Sequence, residues 1–153
     1  MFQRRLVIGG VALAVAVLSL GWGCKRSTAA QAAEATPPGA ENYRVTVKAP
    51  SSIKVGETAV AQVALVPQQG YKVNLEYPTK LTVSGPKAAS PSSQVLRKKD
   101  AKRFDKSMAL FTPSAKITAA GKHRFTAELA FSVCTDQECQ LKTAKINWTA
   151  AAK

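Results

Sequence analysis

From residue 43 onward the chain alternates apolar and polar side chains in short runs, most of them closed by Gly or Pro. Alternation over about 4–8 residues is the period of a strand with one face buried. Residues 43–48, Tyr-Arg-Val-Thr-Val-Lys, form the first such run, and Pro50 ends it. Residues 58–66 predict a second strand anchored by Val60, Val63 and Leu65. In 71–77 the apolar positions Tyr71, Val73, Leu75 and Tyr77 share one face of a predicted strand that Pro78 stops. Residues 81–83, 108–111 and 114–118 add shorter segments. The stretch 88–106 is irregular, with a helical turn expected at 99–103.

The clearest pattern is 123–134. It places Phe125, Ala127, Leu129, Phe131 and Val133 on one face, and Arg124, Thr126, Glu128 and Ser132 on the other. A return strand follows over 140–149. There Leu141 and Thr143 share one parity and Ala144, Ile146 and Trp148 the other, which predicts a bulge near Thr143-Ala144. About seven to eight short antiparallel strands with Gly and Pro turns make the expected fold all-β, a β-sandwich. Tyr71, Tyr77, Phe125, Phe131 and Trp148 read as core residues.

The first 42 residues follow a different pattern. Arg4-Arg5 precedes an apolar run from Leu6 to Leu20, and Gly21-Trp22-Gly23-Cys24 follows it. A basic start and a short apolar core have the layout of an export signal over residues 1–23. A cysteine directly after that core has the layout of a bacterial lipoprotein cleavage site, with Cys24 as the lipid attachment point. Gly21 and Trp22 depart from the usual residues there, and Gly23 fits. Ordinary cleavage nearby and an uncleaved anchor are the other two outcomes. Residues 24–42, rich in Ala, Thr, Pro and Gly, read as a flexible tether. The folded domain is then 43–153, in the bacterial envelope, periplasm-facing and held to the membrane through lipid.

Charge narrows the chemistry only a little. Residues 24–153 carry 20 basic and 9 acidic side chains, a formal charge of +11. Such a balance attracts anionic partners. An exported chain meets little nucleic acid, however, and no aromatic residues interleave with the basic ones, so nucleic acid is not an expected partner. The local cluster at Arg97, Lys98, Lys99, Lys102, Arg103 and Lys106 reads as a solvated loop or short helix. His123, the single histidine, reads as an exposed turn residue. One imidazole does not make a zinc site, and no Ser/His/Asp spacing suggests hydrolysis. The sequence holds no metal or cofactor motif.

The candidate chemistry lies in Cys134-Thr135-Asp136-Gln137-Glu138-Cys139. Four intervening residues fit a hairpin turn between two strands, which would bring the cysteines to disulfide distance. If Cys24 carries lipid, these two are the remaining thiols. The pair is either a structural clip or a redox site. Asp136 and Glu138 disfavour a thiolate beside them by like-charge repulsion. The pair is therefore better suited to being attacked as a disulfide than to attacking first. The alternative to exchange is a non-enzymatic envelope binding or structural lipoprotein with a structural disulfide.

Gly70-Tyr71-Lys72-Val73-Asn74, Tyr77-Pro78, Leu81 and the segment from Phe131 to Cys139 resemble the N-terminal periplasmic domain of the DsbD thiol:disulfide interchange protein and its stand-alone relatives. The resemblance covers 43–149. It implies an immunoglobulin-like sandwich in which Cys134 and Cys139 are the catalytic redox residues. The implied partner is a thioredoxin-like or membrane thiol-transfer protein. It also implies that Tyr71 and Asn74 lie in a segment near the site, and that a loop from 71–77 or 88–103 shields the cysteines. Two departures stand out. The family has five residues between its cysteines where this chain has four, and its multispan and thioredoxin-like domains have no counterpart in these 153 residues. The expected protein is a free-standing electron acceptor, or a descendant whose disulfide has become structural.

Overall fold

The computed structural model describes residues 31–34 and 42–153. The export segment, Cys24 and the remainder of the expected tether lie outside the described residues. Within that tether, β1 (Gln31–Glu34) runs antiparallel to β2 (Tyr43–Ala49).

The domain is all-β, built from antiparallel sheets that pack on one another. The first sheet has the order β1-β2-β4-β9-β8, where β4 is Gln62–Pro67, β8 is Arg103–Asp105 and β9 is Met108–Phe111. The second has the order β12-β11-β6-β7, with β6 at Lys80–Ser84, β7 at Val95–Arg97, β11 at Gly121–Cys134 and β12 at Cys139–Ala152. A two-residue strand, β5 (Lys72–Val73), pairs with the end of β11. It lies on the same edge of β11 as β6, because β12 occupies the other edge. A small third sheet pairs β3 (Thr58–Val60) with β10 (Ser114–Lys116).

Alternation decides what is buried. The odd-numbered residues from Phe125 to Val133 point inward, and Ala127, Leu129, Phe131 and Val133 share one core with Val45, Val47, Val63, Leu65 and Phe111 of the facing sheet. Phe131 is fully buried and packs edge-on against Tyr43, with ring centroids 4.8 Å apart. A second cluster at the other end of the sandwich gathers Ala59, Ala115, Ile117, Phe125 and Ala150. Trp148 stacks on Phe125 there, 5.3 Å between centroids.

Gly85 sits where this second cluster closes. A Cβ at that position would lie 2.8 Å from the Phe125 ring and 2.8 Å from the Ala89 carbonyl oxygen. Neither atom is the free end of a flexible side chain. Gly85→Ala is therefore expected to destabilise the fold by about 1–3 kcal/mol, the usual cost of overpacking. A denaturant midpoint unchanged from wild type would contradict that close approach.

The structure departs from the sequence pattern at five places. Residues 58–66 are two strands in different sheets, because the chain crosses at Ala61, whose N–H donates to Pro113 at 2.9 Å. Ala59, Ala61, Val63 and Leu65 face inward, so Val60 is an exposed residue rather than a core anchor. Residues 71–77 pair as a strand only at Lys72–Val73. The Asn74 side-chain oxygen accepts the Glu76 N–H at 3.0 Å, an Asx turn that bends the chain away from the ladder.

No bulge interrupts β12. Its register with β11 runs continuously from Gly121↔Ala152 to Cys134↔Cys139. The even-numbered residues of β12 face inward, and Leu141 points to solvent with 68% of its surface exposed. His123 is buried, on the inward parity of β11, with Nε2 2.8 Å from the Ala119 carbonyl oxygen. Ser132 has the outward parity but is also buried. β5 and Asn74 cover the end of β11 at this point.

Candidate functional site

Cys134 ends β11 and Cys139 begins β12, so the two are the last opposed pair of the ladder. Directly opposed residues at a non-hydrogen-bonded position are the closest pairs in an antiparallel sheet. The two Cα atoms are 4.0 Å apart, and the side chains form a disulfide. The turn beyond is closed by the Thr135 N–H donating to the Glu138 carbonyl at 2.8 Å. The Thr135 hydroxyl oxygen accepts the N–H groups of Gln137 and Glu138 at 3.2 and 3.1 Å. One threonine therefore satisfies the turn, and the disulfide sits at its base.

The two sulfur-bearing residues differ in access. Cys139 is exposed and Cys134 half-buried. β12 is the outer strand of its sheet, so Cys139 lies both at a hairpin end and on a sheet edge. The covered side of the pair is made by 71–74. The turn at 68–70, with Gly70 at φ +80°, aims Tyr71 toward the hairpin. Val73 then pairs with Val133 and Lys72 with Cys134. The Asn74 N–H donates to the Ser132 carbonyl at 2.9 Å.

Both turn carboxylates are tied to this segment. The Tyr71 hydroxyl donates to Glu138 Oε1 at 2.8 Å, and Gln140 Nε2 donates to the same oxygen at 2.7 Å. Asn42 Nδ2 in turn donates to Gln140 Oε1 at 2.6 Å. Lys72 Nζ meets Asp136 Oδ1 at 2.8 Å, in an exposed ion pair. The Tyr71 and Gln140 hydrogen bonds hold the Glu138 carboxyl below its ordinary pKa. The Lys72 hydrogen bond and charge do the same for Asp136. Glu138 pushes the Tyr71 hydroxyl up. Lys72 and Lys106 place positive charge near Asp136, and Lys142 places it near Glu138.

The sign of the pH effect follows. Asp136 and Glu138 have folded-state pKa values below those of the unfolded chain. Their contribution is present above the unfolded carboxylate range and is lost as pH falls through the depressed folded values. Amide protection at Val73 and Asn74, corrected for intrinsic exchange, is expected to stay constant between about pH 6 and 8 and to fall below the ordinary carboxylate range. Protection that declines on raising the pH instead would rule out this clasp.

Asn74 reaches one of the two sulfurs. Its Oδ1 is occupied by Glu76 N–H, which leaves the amide nitrogen facing Ser132 Oγ at 3.4 Å and Cys139 Sγ at 3.9 Å. Ser132 Oγ is in turn 4.0 Å from Cys134 Sγ. The 71–74 segment thus lies beside the pair, while Lys98 donates to the Leu75 carbonyl at 2.8 Å. Sequence reasoning missed Ser132, Gln140, Lys72 and Asn42. A polar residue on the outward parity of a strand looks solvated until its cover is known. Gln140 and Asn42 are 98 residues apart, with no local signal linking them.

Fold and site together define an all-β domain with an accessible disulfide at the end of its longest hairpin. No family model matches the chain, and no curated protein matches it. Among solved structures, the N-terminal periplasmic domain of ScsB from Proteus mirabilis is similar at TM-score 0.48 and 12% identity, over 78% of this chain and 51% of that one. This chain therefore spans about half the length of that structure. The GAE domain of GGA2p from Saccharomyces cerevisiae gives TM-score 0.43 and 11% identity, over 74% and 94% of the two chains. AggA, the major subunit of aggregative adherence fimbriae from Escherichia coli, gives 0.36 and 10%, over 73% and 96%. None of these likenesses assigns a role to the site.

Proposed function

We propose that this protein is an envelope thiol:disulfide exchange or electron-accepting module that works through Cys134 and Cys139. In this reading the domain is an immunoglobulin-like sandwich, exported and anchored by lipid on Cys24. Its partner is a thioredoxin-like or membrane protein carrying a reactive dithiol. The observation that carries the proposal is the placement of the disulfide, with Cys139 exposed at a hairpin end on a sheet edge. An incoming thiolate must approach one sulfur along the S–S axis, and a disulfide inside a sheet would deny that approach.

The reaction balances without a cofactor. A partner thiolate attacks Cys139 Sγ, the bond to Cys134 breaks, and Cys134 leaves with the electron pair as a thiolate. The second partner thiolate then attacks the partner's sulfur in the mixed disulfide and releases Cys139. The partner ends oxidised, and this protein ends as a dithiol. Tyr71, Asp136 and Glu138 shape the surroundings by fixing the turn against the 71–74 segment.

The reduction potential of the pair, measured on the full chain in glutathione buffers with thiol alkylation, tests the reading. A value within roughly −120 to −270 mV, the span of exchange proteins, is expected. A value below about −300 mV would mark a structural disulfide and overturn the proposal.

A further inference from the structure

Among the described residues, the buried polar side chains are Thr79, His123 and Ser132. Ser132 is the one beside the disulfide. Its burial needs a reason, because an unpaired hydroxyl in an apolar setting costs free energy. The hydroxyl oxygen accepts from Asn74 Nδ2 at 3.4 Å. Asn74 is the donor because its own oxygen is already taken by the Glu76 N–H. The proton of Ser132 is then directed elsewhere, and Cys134 Sγ lies 4.0 Å away. The second amide hydrogen of Asn74 faces Cys139 Sγ at 3.9 Å. Each sulfur thus has one protein donor aimed at it.

These contacts are long because a disulfide sulfur is a weak acceptor. A thiolate is charged, turns freely about its Cα–Cβ bond and accepts strongly, so both contacts shorten when the bond opens. Donation also opposes the carboxylates of the turn, which disfavour negative charge here. We propose that Ser132 and Asn74 act as a donor pair for the two thiolates released on reduction, Ser132 serving Cys134 and Asn74 serving Cys139. The backbone holds both donors in place: Ser132 by its position in β11, and Asn74 by its N–H on the Ser132 carbonyl and its Asx turn. Use of the pair in turnover rests on the exchange reading above. The donor pair itself is a property of the reduced protein and is measured without any partner.

The experiment is iodoacetamide alkylation of the reduced full chain at pH 7, with Cys24, Cys134 and Cys139 resolved by peptide mass. The thiolate is the species alkylated, and a donor that raises its population also lowers its nucleophilicity by about half as much on a logarithmic scale, so the rate follows roughly the square root of the population change. Ser132→Ala is expected to slow alkylation of Cys134 about threefold, the square root of the roughly tenfold population change that one hydrogen bond to a charged group makes. Ser132→Thr, which keeps the hydroxyl, restores the rate. Asn74→Asp keeps the oxygen that caps Glu76 but replaces the donor with a carboxylate. It is expected to slow Cys139 by at least as much. Oxidised protein of each variant, checked by thermal melting, shows whether the fold is intact. Unchanged alkylation in folded Ser132→Ala and Asn74→Asp would overturn the donor pair, whatever the reduction potential. A potential below the exchange range with slowed alkylation would instead keep the donors and remove the exchange function.

Discussion

Cys134→Ser is expected to turn the protein into a trap. With Cys134 gone, Cys139 remains as an exposed thiol at the start of an edge strand. Reaction with an oxidised partner then gives a mixed disulfide that no neighbouring cysteine resolves. Incubated with glutathione disulfide, the variant should accumulate a glutathione adduct on Cys139, located by peptide mass. Of the pair, Cys139→Ser leaves Cys134, which is half-buried at the end of β11. Its adduct should form about tenfold more slowly, since access controls exchange as much as thiolate character does. The asymmetry is the informative part. Equal trapping by both variants would remove the assignment of Cys139 as the attacked sulfur.

Phe131→Ala should cost more stability than removing both cysteines. Phe131 is fully buried, faces the first sheet and packs edge-on against Tyr43. Truncation deletes a large side chain and leaves a cavity between two sheets that pack through many other residues. Such changes cost about 3–5 kcal/mol. The disulfide closes only the short loop from Cys134 to Cys139, and the chain-entropy account gives about 2 kcal/mol for a loop of that length. The continuous β11–β12 ladder continues to hold these strands without the clip. Urea titrations of Phe131→Ala and of the Cys134→Ser/Cys139→Ser double variant make the comparison. A double variant less stable than Phe131→Ala would make the clip the main support of the fold and would argue for a structural disulfide.

Different parts of the molecule were legible to different degrees. In β11 every second residue from Phe125 to Val133 is apolar, and the structure buries all five. A strand with one face on a core has this pattern because successive side chains point to opposite faces. The neighbouring β12 misled because Leu141 is apolar yet solvent-facing. A single exposed leucine is ordinary on a protein surface. Sequence pattern assigned it inward and needed a bulge to reconcile it with Ile146. Residues 71–77 misled for another reason. Their alternation fits a strand, but the Asn74 side chain competes with the ladder for a backbone N–H and ends it.

By itself the sequence determined the all-β class, the main hairpin and the closeness of Cys134 to Cys139. These follow from local periodicity and from a turn of four residues, which need no distant part of the chain. Tertiary structure alone decided what surrounds the sulfurs. Asn74 reaches Cys139 across 65 positions, and Tyr71 reaches Glu138 across 67. Those contacts exist because β5 takes the edge of β11 beyond the end of β6, a matter of sheet order. The same placement buries Ser132 and leaves Cys139 open. Burial and access depend on which strand lies alongside, and residue spacing carries no record of that.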